Sequence, residues 1–176
     1  MTKMKKASEL MIPLEAYPHV PYWFSIRQAV AIMEQAEEGS DGRSRLIGAR
    51  SVLVFNETYN LLGIIRRRDI FGGLRANIMH DSDRQAQTFP AAKNGPTKET
   101  SSSDSLVREI LTQAERPISE VMQPIRSTVD YEDHLLQVTS KMVDENASTL
   151  PVLREGVVVG VVRSVEVFKE IAALIL

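Results

Sequence analysis

The sequence predicts a mixed fold of the α+β (α/β) class, in which two copies of one small unit pack against each other. Two observations carry this prediction. Five short blocks of sequence recur in the same order in the two halves of the chain, and within each copy the apolar residues change from helical to strand periodicity. A copy of about 60 residues buries little apolar surface alone, so the copies are expected to share a core.

Each copy opens with a short turn. Residues 8–13 (Ser-Glu-Leu-Met-Ile-Pro) recur as residues 119–124 (Ser-Glu-Val-Met-Gln-Pro). Serine is a good N-cap, and proline disfavours helix in the residue before it, so each block predicts one helical turn that starts at the serine. An extended segment follows, where Val-Pro-Tyr at 20–22 matches Val-Asp-Tyr at 129–131.

An amphipathic helix comes next in each copy. Ser25 and Gln28 have the spacing of a capping box, which predicts the start of the first helix. The second is expected over about 133–146. The residues expected on the buried faces are Ile26, Val30 and Met33 in the first copy and Leu135, Val138 and Met142 in the second.

Two strands and a last helix close each copy. Polar turns at 56–60 and 154–156 each separate two short apolar runs, which is the pattern of a β-hairpin. The predicted strands cover 52–55 and 61–65 in the first copy and 150–153 and 157–162 in the second, and the predicted last helices cover about 67–79 and 164–176.

Two segments have no counterpart in the other copy. Residues 39–48 lengthen the connection after the first amphipathic helix, and residues 81–104 are polar and rich in turn formers, which predicts a flexible linker. Apolar residues between 106 and 111 suggest a short helix before Pro117. The predicted organisation is a first repeat at 1–80, a flexible polar linker plus short helix at 81–116, and a second repeat at 117–176.

Composition narrows the function. The 21 basic and 23 acidic residues nearly cancel, so no overall field attracts nucleic acid or an anionic membrane. The absence of cysteine excludes disulfides and thiolate metal sites. No signal peptide or apolar run of membrane-spanning length is present in the sequence, so a cytoplasmic location is predicted. No nucleophile–base pair and no metal-ligand spacing can be assembled, which predicts no catalytic residues, no metal site and no enzyme activity.

The repeated motifs resemble tandem cystathionine-β-synthase (CBS) domains, also called a Bateman module. The resemblance lies in the Met-x-Pro opening turn, the Leu-Pro-Val-Leu strand at 150–153, and the Gly-h-h-x-x-x-Asp turn at 63–69, where h is an apolar residue. It implies two β-α-β-β-α repeats packed by pseudo-two-fold symmetry, with two clefts between their sheets. In this family such clefts commonly bind AMP, ADP, ATP or S-adenosylmethionine, and the modules commonly form homodimers.

The resemblance also implies a set of ligand-binding residues. The family's usual signature is Gly-h-h-Thr/Ser-x-x-Asp, whose hydroxyl contacts ribose or phosphate and whose Asp accepts hydrogen bonds from the ribose hydroxyls. Arg66 and Arg163 replace the hydroxyl residue here, and Glu166 stands where the first repeat has Asp69. The candidate ligand-binding residues are Asp69, Arg66, Arg163, Glu166, Val52, Leu150, Pro151 and Val152.

The chemistry of these positions allows two interpretations. Both arginines stand where a strand ends and a helix begins, and a helix N-terminus together with a guanidinium group suits phosphate. Alternatively, Arg66 and Arg163 pair with Asp69 and Glu166, or these acids only cap their helices. The run of arginines at 66–68 has no aromatic platform beside it and does not predict nucleic-acid binding.

The functional prediction is a non-catalytic regulatory module that senses an adenine nucleotide, or a related phosphorylated adenosyl ligand, in the cleft between the repeats. The alternative is a dimerisation and interaction scaffold of the CBS-pair type without a small-molecule ligand. The last helix is apolar nearly all round, which favours a homodimer. The regulated partner is expected to be another protein.

Overall fold

The computed structural model describes residues 4–38, 50–74 and 99–176. The helices are α1 (Ala7–Leu10), α2 (Ile26–Glu38), α3 (described over 67–74), α4 (Glu99–Gln113), α5 (Leu135–Asp144) and α6 (Ser164–Ile175). The strands are β1 (Ile12–Pro13), β2 (His19–Pro21), β3 (Ser51–Phe55), β4 (Leu61–Arg66), β5 (Gln123–Pro124), β6 (Val129–Asp130), β7 (Thr149–Arg154) and β8 (Val157–Arg163). Two 3₁₀ turns cover Leu14–Ala16 and Ile118–Glu120.

The same supersecondary unit occurs twice. In each copy the two long strands form an antiparallel hairpin, β3 with β4 and β7 with β8. A short strand adds in parallel to the first strand of each hairpin, β2 to β3 and β6 to β7. The α+β fold and the repeat predicted from the sequence are confirmed.

The two copies exchange their opening segments. The sheet orders are β2-β3-β4-β5 and β1-β8-β7-β6, so the first strand of each copy completes the sheet of the other. Gly63 and Gly160 lie where these exchanged strands cross, and a Cβ at either would stand 2.6 Å from a backbone carbonyl oxygen, of Gln123 or Ile12. Only glycine permits this approach, so the sequence specifies the same crossing twice.

Exchange also interleaves the two hydrophobic cores. Ala7 and Leu10 of α1 are buried in the core of the second sheet. Ile118 and Val121, from the equivalent turn of the second copy, are buried in the core of the first sheet. The repeats that the sequence divides along the chain therefore fold as one interlocked pair.

Each sheet has an outer and an inner face, because successive strand residues point to opposite sides. The outer faces pack against helices and contain Val52 in the first sheet and Val152 in the second. The inner faces meet in a third cluster, which includes Leu53, Ile64 and Val161. The space between the sheets is where a cleft can form.

The helix predictions are partly confirmed. Ser25 and Gln28 form the predicted capping box, with the Ser25 N–H donating to Gln28 Oε1 at 2.9 Å and the Gln28 N–H donating to Ser25 Oγ at 3.3 Å. The prediction that Val30 is buried is wrong, since it is 38% exposed. Ala29 is fully buried instead, because Ile26, Ala29 and Met33 form the stripe that faces the sheet.

Several element boundaries differ from prediction. The first turn begins at Ala7 with Lys6 as N-cap, rather than at Ser8, and the second is a 3₁₀ turn that begins at Ile118 with Pro117 as N-cap, rather than at Ser119. The helix expected near residue 106 starts at Glu99, and α5 covers Leu135–Asp144 rather than 133–146. Residues 39–48, 75–79 and 81–98, for which the sequence predicts a loop, a helix end and a linker, lie outside the described residues. None of the helices described is long and apolar enough to cross a bilayer.

Candidate functional site

Both predicted arginines lie on the inner faces of the sheets. In the strand register, Arg66 lies opposite Ser51 at the end of the first hairpin, and Arg163 lies opposite Thr149 at the end of the second. Each arginine is two residues beyond an inner-face residue of its own strand, so its side chain emerges between the two sheets. The backbone therefore places both guanidinium groups beside the space that separates the copies.

Each arginine is paired with the acid three residues later. Arg66 donates from Nε to Asp69 Oδ2 at 2.7 Å and from a terminal nitrogen to Oδ1 at 3.0 Å. Arg163 makes the same two-point contact with Glu166, with Nε at 2.8 Å from Oε2. Asp69 also accepts the backbone N–H of Arg66 at 2.9 Å, which is the capping role considered from the sequence.

The arginines of the two ion pairs differ in burial, whereas the acids differ in the opposite direction, with Asp69 7% and Glu166 15% exposed. The Arg66 side chain is 27% exposed, whereas that of Arg163 is 9% exposed. The hydrogen bond from Arg163 to the Glu166 carboxylate raises the pKa of the guanidinium above its ordinary value. Arg66 is accessible to a ligand from solvent, and Arg163 is not.

A cavity of 410 Å³ opens beside Arg66, and we call it the open cleft. One wall is the end of β4, and the other walls come from the second copy, namely its opening segment and the residues before and within β7. The lining residues are Ile64, Arg66, Arg68, Gln123, Pro124, Ile125, Arg126, Ser127, Glu145, Asn146, Ala147, Ser148, Thr149, Leu150 and Pro151. The open cleft thus contains side chains of both copies.

A second cavity of 410 Å³ shares Arg66 and Arg68 with the open cleft and adds Arg50 and Arg67. Together the two cavities form a continuous crevice bordered by five arginines, since Arg126 lines the first. Arg67 and Arg68 also begin α3, directly after the end of β4, where backbone N–H groups and the helix dipole favour anions. The crevice therefore offers a strongly basic wall next to the apolar surface of Ile64 and Pro151.

The pseudo-symmetric counterpart of the open cleft is filled by Tyr17, and we call it the closed cleft. Tyr17 is 2% exposed and packs in the inner cluster with Leu53 and Val161. Its hydroxyl is 2.7 Å from Ser51 Oγ. Burial raises the pKa of the Tyr17 phenol, an effect that Ser51 and the charge of Arg163 partly oppose.

The predicted site residues are therefore divided among three places. Arg66, Leu150 and Pro151 line the open cleft, and Asp69 holds Arg66. Arg163 and Glu166 belong to the closed cleft, and Val52 and Val152 are fully buried on the outer faces.

Sequence reasoning missed several residues of the crevice. Arg50, Arg126 and Ser127 line it without being part of the motifs considered, and Arg68, which lies within the 63–69 motif, was not named as a candidate. Arg126 and Ser127 follow the second Met-x-Pro turn after one intervening residue, Ile125, and this proximity is the one signal that could have identified them. Within residues 4–38, 50–74 and 99–176, no cluster of three or more possible metal ligands occurs.

Two interlocked repeats, with paired sheets and a cleft between the copies, define a class of paired-repeat modules. Residues 118–173 match the family model of the CBS domain. The chain has the fold of a tandem CBS-domain pair, as the sequence predicted. No curated protein matches the chain in sequence.

Solved structures share this fold across nearly the whole chain. A CBS-domain containing protein from Agrobacterium tumefaciens is 14% identical, with 97% of this chain and 96% of that chain covered and a TM-score of 0.64. CBSX2 in complex with AMP is 15% identical, with 97% of each chain covered and a TM-score of 0.60. The cytosolic domain of the Mg²⁺ channel MgtE in complex with ATP is 18% identical, with 94% of this chain and 49% of that chain covered and a TM-score of 0.58.

Proposed function

We propose that the chain is a non-catalytic regulatory module that senses an adenine nucleotide, or a related phosphorylated adenosyl ligand, in the open cleft. The observation that carries this proposal is the combination of an apolar wall and an arginine-lined wall in one cavity between the copies. Its volume of 410 Å³ lies within the range of about 300–1,000 Å³ that small-molecule sites occupy. The AMP and ATP complexes of CBSX2 and MgtE, which share the fold, add support.

The two walls suit the two ends of a nucleotide. Ile64, Pro151 and Ile125 supply apolar surface for a base, and Arg68 and Arg126 supply charge for phosphate groups. Arg66 also lines the open cleft and has its guanidinium held by Asp69. A ligand phosphate can accept hydrogen bonds from Arg66 while Asp69 keeps the guanidinium oriented. Alternatively, ribose hydroxyls can donate hydrogen bonds to the Asp69 carboxylate in place of Arg66.

Regulation follows from the position of the cleft. Because its walls come from both copies, a bound ligand stabilises the relative arrangement of the copies in which those walls are closest. A ligand shifts such an equilibrium by its difference in affinity for the two arrangements. Another protein that contacts both copies would respond to that shift.

Dimerisation is part of the proposed function. Phe71 on α3 and Phe168 on α6 are equivalent in the two repeats and are 66% and 70% exposed. Ile175 adds further exposed apolar surface on α6. We expect a homodimer that covers these helices, with Phe71→Glu and Phe168→Glu together shifting the mass measured by light scattering to that of a monomer.

Nucleotide binding is tested by calorimetry and thermal shift with AMP, ADP, ATP and S-adenosylmethionine. Saturation at 100 times the dissociation constant should stabilise the protein by about 2.7 kcal/mol. Arg126→Ala should weaken binding of the phosphorylated ligands about tenfold, equivalent to about 1.4 kcal/mol. Arg27→Ala is the matched control, because Arg27 is an exposed arginine paired with Glu115 and does not line the crevice.

The scaffold alternative predicts a different result. None of the four ligands would then shift the unfolding temperature, while the light-scattering mass would still be that of a dimer. That pair of results would contradict nucleotide sensing and favour an interaction scaffold.

A further inference from the structure

We infer that Tyr17 limits the pair to one ligand, because its side chain occupies a second, latent binding site in the closed cleft. The inference deepens the proposed function, and its expected stoichiometry for the unmodified chain rests on that function. The claim about Tyr17 can be tested separately from that function, because it concerns the additional nucleotide that is bound when this side chain is removed.

Tyr17 contacts the residues that correspond to the walls of the open cleft. Equivalence is fixed by the sheet register, in which Gly63 and Gly160 occupy the same position in their hairpins. The inner cluster joins Tyr17 to Leu53 and Val161, whose counterparts Pro151 and Ile64 line the open cleft. Its hydroxyl binds Ser51, whose counterpart Thr149 also lines the open cleft. The phenol ring therefore lies where a ligand ring would lie in the other half.

The backbone of Tyr17 is held by hydrogen bonds of its own, in addition to the burial of the ring. The Tyr17 N–H donates to the Leu14 carbonyl at 3.0 Å, which closes the 3₁₀ turn. His19 Nδ1 is 2.8 Å from the Tyr17 carbonyl oxygen, so this nitrogen is the protonated donor. The other ring nitrogen of His19 is hydrogen-bonded to the Tyr59 hydroxyl at 2.8 Å. These contacts fix the tyrosine in the cleft.

A difference in chain length explains why only one cleft is filled. Between Pro13 and Val20 the first copy has six residues, Leu-Glu-Ala-Tyr-Pro-His, which contain the 3₁₀ turn and Tyr17. Between the equivalent Pro124 and Val129 the second copy has four, Ile-Arg-Ser-Thr. The longer connection folds inward between the sheets, and the shorter one only forms a wall.

The closed cleft has the same kind of chemistry as the open one. Arg163 and Glu166 repeat the pair of Arg66 and Asp69, and Ser51 supplies a hydroxyl where the open cleft has that of Thr149. An empty closed cleft would thus present a guanidinium, a carboxylate and a hydroxyl beside apolar surface. The latent site is suited to the same class of ligand, a ring with an anionic group.

The test compares ligand stoichiometry in the full chain and three variants, with AMP and ATP as probes in isothermal titration calorimetry. Tyr17→Ala removes the ring alone. In a chimera, residues 14–19 are replaced by Ile-Arg-Ser-Thr, which gives the first copy the connection of the second and serves if Tyr17→Ala does not fold. Tyr22→Ala is the control, because Tyr22 packs on the outer core and its hydroxyl binds Glu57.

We expect Tyr17→Ala or the chimera to bind one more nucleotide per chain than the unmodified protein, and Tyr22→Ala to bind the same number. A gain from zero to one would overturn the proposed function of the open cleft but support the latent site. Two nucleotides bound to the unmodified chain, or no gain in a variant that unfolds cooperatively, would overturn the inference.

Discussion

The open cleft and the closed cleft occupy equivalent positions, yet one contains 410 Å³ of free space and the other contains a tyrosine ring. Their frameworks are alike, since both have an exchanged strand, a crossing glycine and a strand-end arginine paired with an acid. They differ in the connection between the opening turn and the next short strand. Duplication therefore preserved the scaffold, and two additional residues were enough to make its two sites unequal.

The largest expected difference concerns packing. Tyr17→Ala should lower the free energy of unfolding by about 3–5 kcal/mol, as for other large buried aromatic side chains. Arg126→Ala, in the equivalent connection of the open cleft, should change it by less than about 0.5 kcal/mol, because Arg126 is exposed. Urea unfolding measures both. Similar values for the two variants would mean that the clefts do not differ in packing.

The crossing glycines should instead behave alike. Gly63→Ala and Gly160→Ala each place a methyl group 2.6 Å from a carbonyl oxygen of the exchanged strand. Each should therefore cost about 1–3 kcal/mol through overpacking. Gly72→Ala is the control, because nothing lies within 4 Å of its added Cβ. Unequal losses of stability in Gly63→Ala and Gly160→Ala would show that the two crossings are packed differently, although their strand registers are equivalent.

The ion pairs should differ moderately. Glu166→Gln leaves the buried Arg163 without a charged acceptor and should cost about 1.5–3 kcal/mol, the range for hydrogen bonds to charged groups. Asp69→Asn should cost about half as much, since the Arg66 side chain is 27% exposed and water can replace the lost contact. Thermal unfolding of the two single variants provides the comparison, and a larger loss for Asp69→Asn would contradict the expected order.

The smallest expected effect depends on pH. Because burial raises the pKa of Tyr17, the unfolded chain releases this proton first as the pH increases. Its contribution to stability is complete below about pH 10, the ordinary pKa of tyrosine, and is lost as the pH rises toward the folded pKa. Above about pH 10, the stability of the unmodified protein should fall more steeply than that of Tyr17→Phe, by at most about 1.4 kcal/mol per pH unit. Parallel curves would exclude this contribution.

Much of the fold follows from the sequence, because the repeated blocks coincide with whole elements. The hairpins were predicted from the polar turns at 56–60 and 154–156. The buried face of α5 was predicted from Leu135, Val138 and Met142, all of which are buried. The strand exchange was not predicted, because a two-residue strand such as β1 or β5 has no periodicity to read. Val30 was misplaced because an alanine, which carries little hydrophobic signal, occupies the buried stripe instead.

Less of the site could be predicted. The family motif points to Arg66 and Pro151, which line the open cleft, but the roles of residues 125–127 depend on which copy supplies each wall. Tyr17 was missed because an isolated tyrosine in an extended segment has no pattern. The one available signal was the unequal spacing, six residues against four, between matched blocks of the repeat.

The inequality of the clefts is tested most directly by a crystal structure of the protein grown with saturating ATP. We predict electron density for one nucleotide per chain, between Arg66 and Arg126, with the Tyr17 ring still hydrogen-bonded to Ser51. Nucleotide density beside Arg163 with Tyr17 displaced, or an open cleft without density, would contradict this description of the molecule.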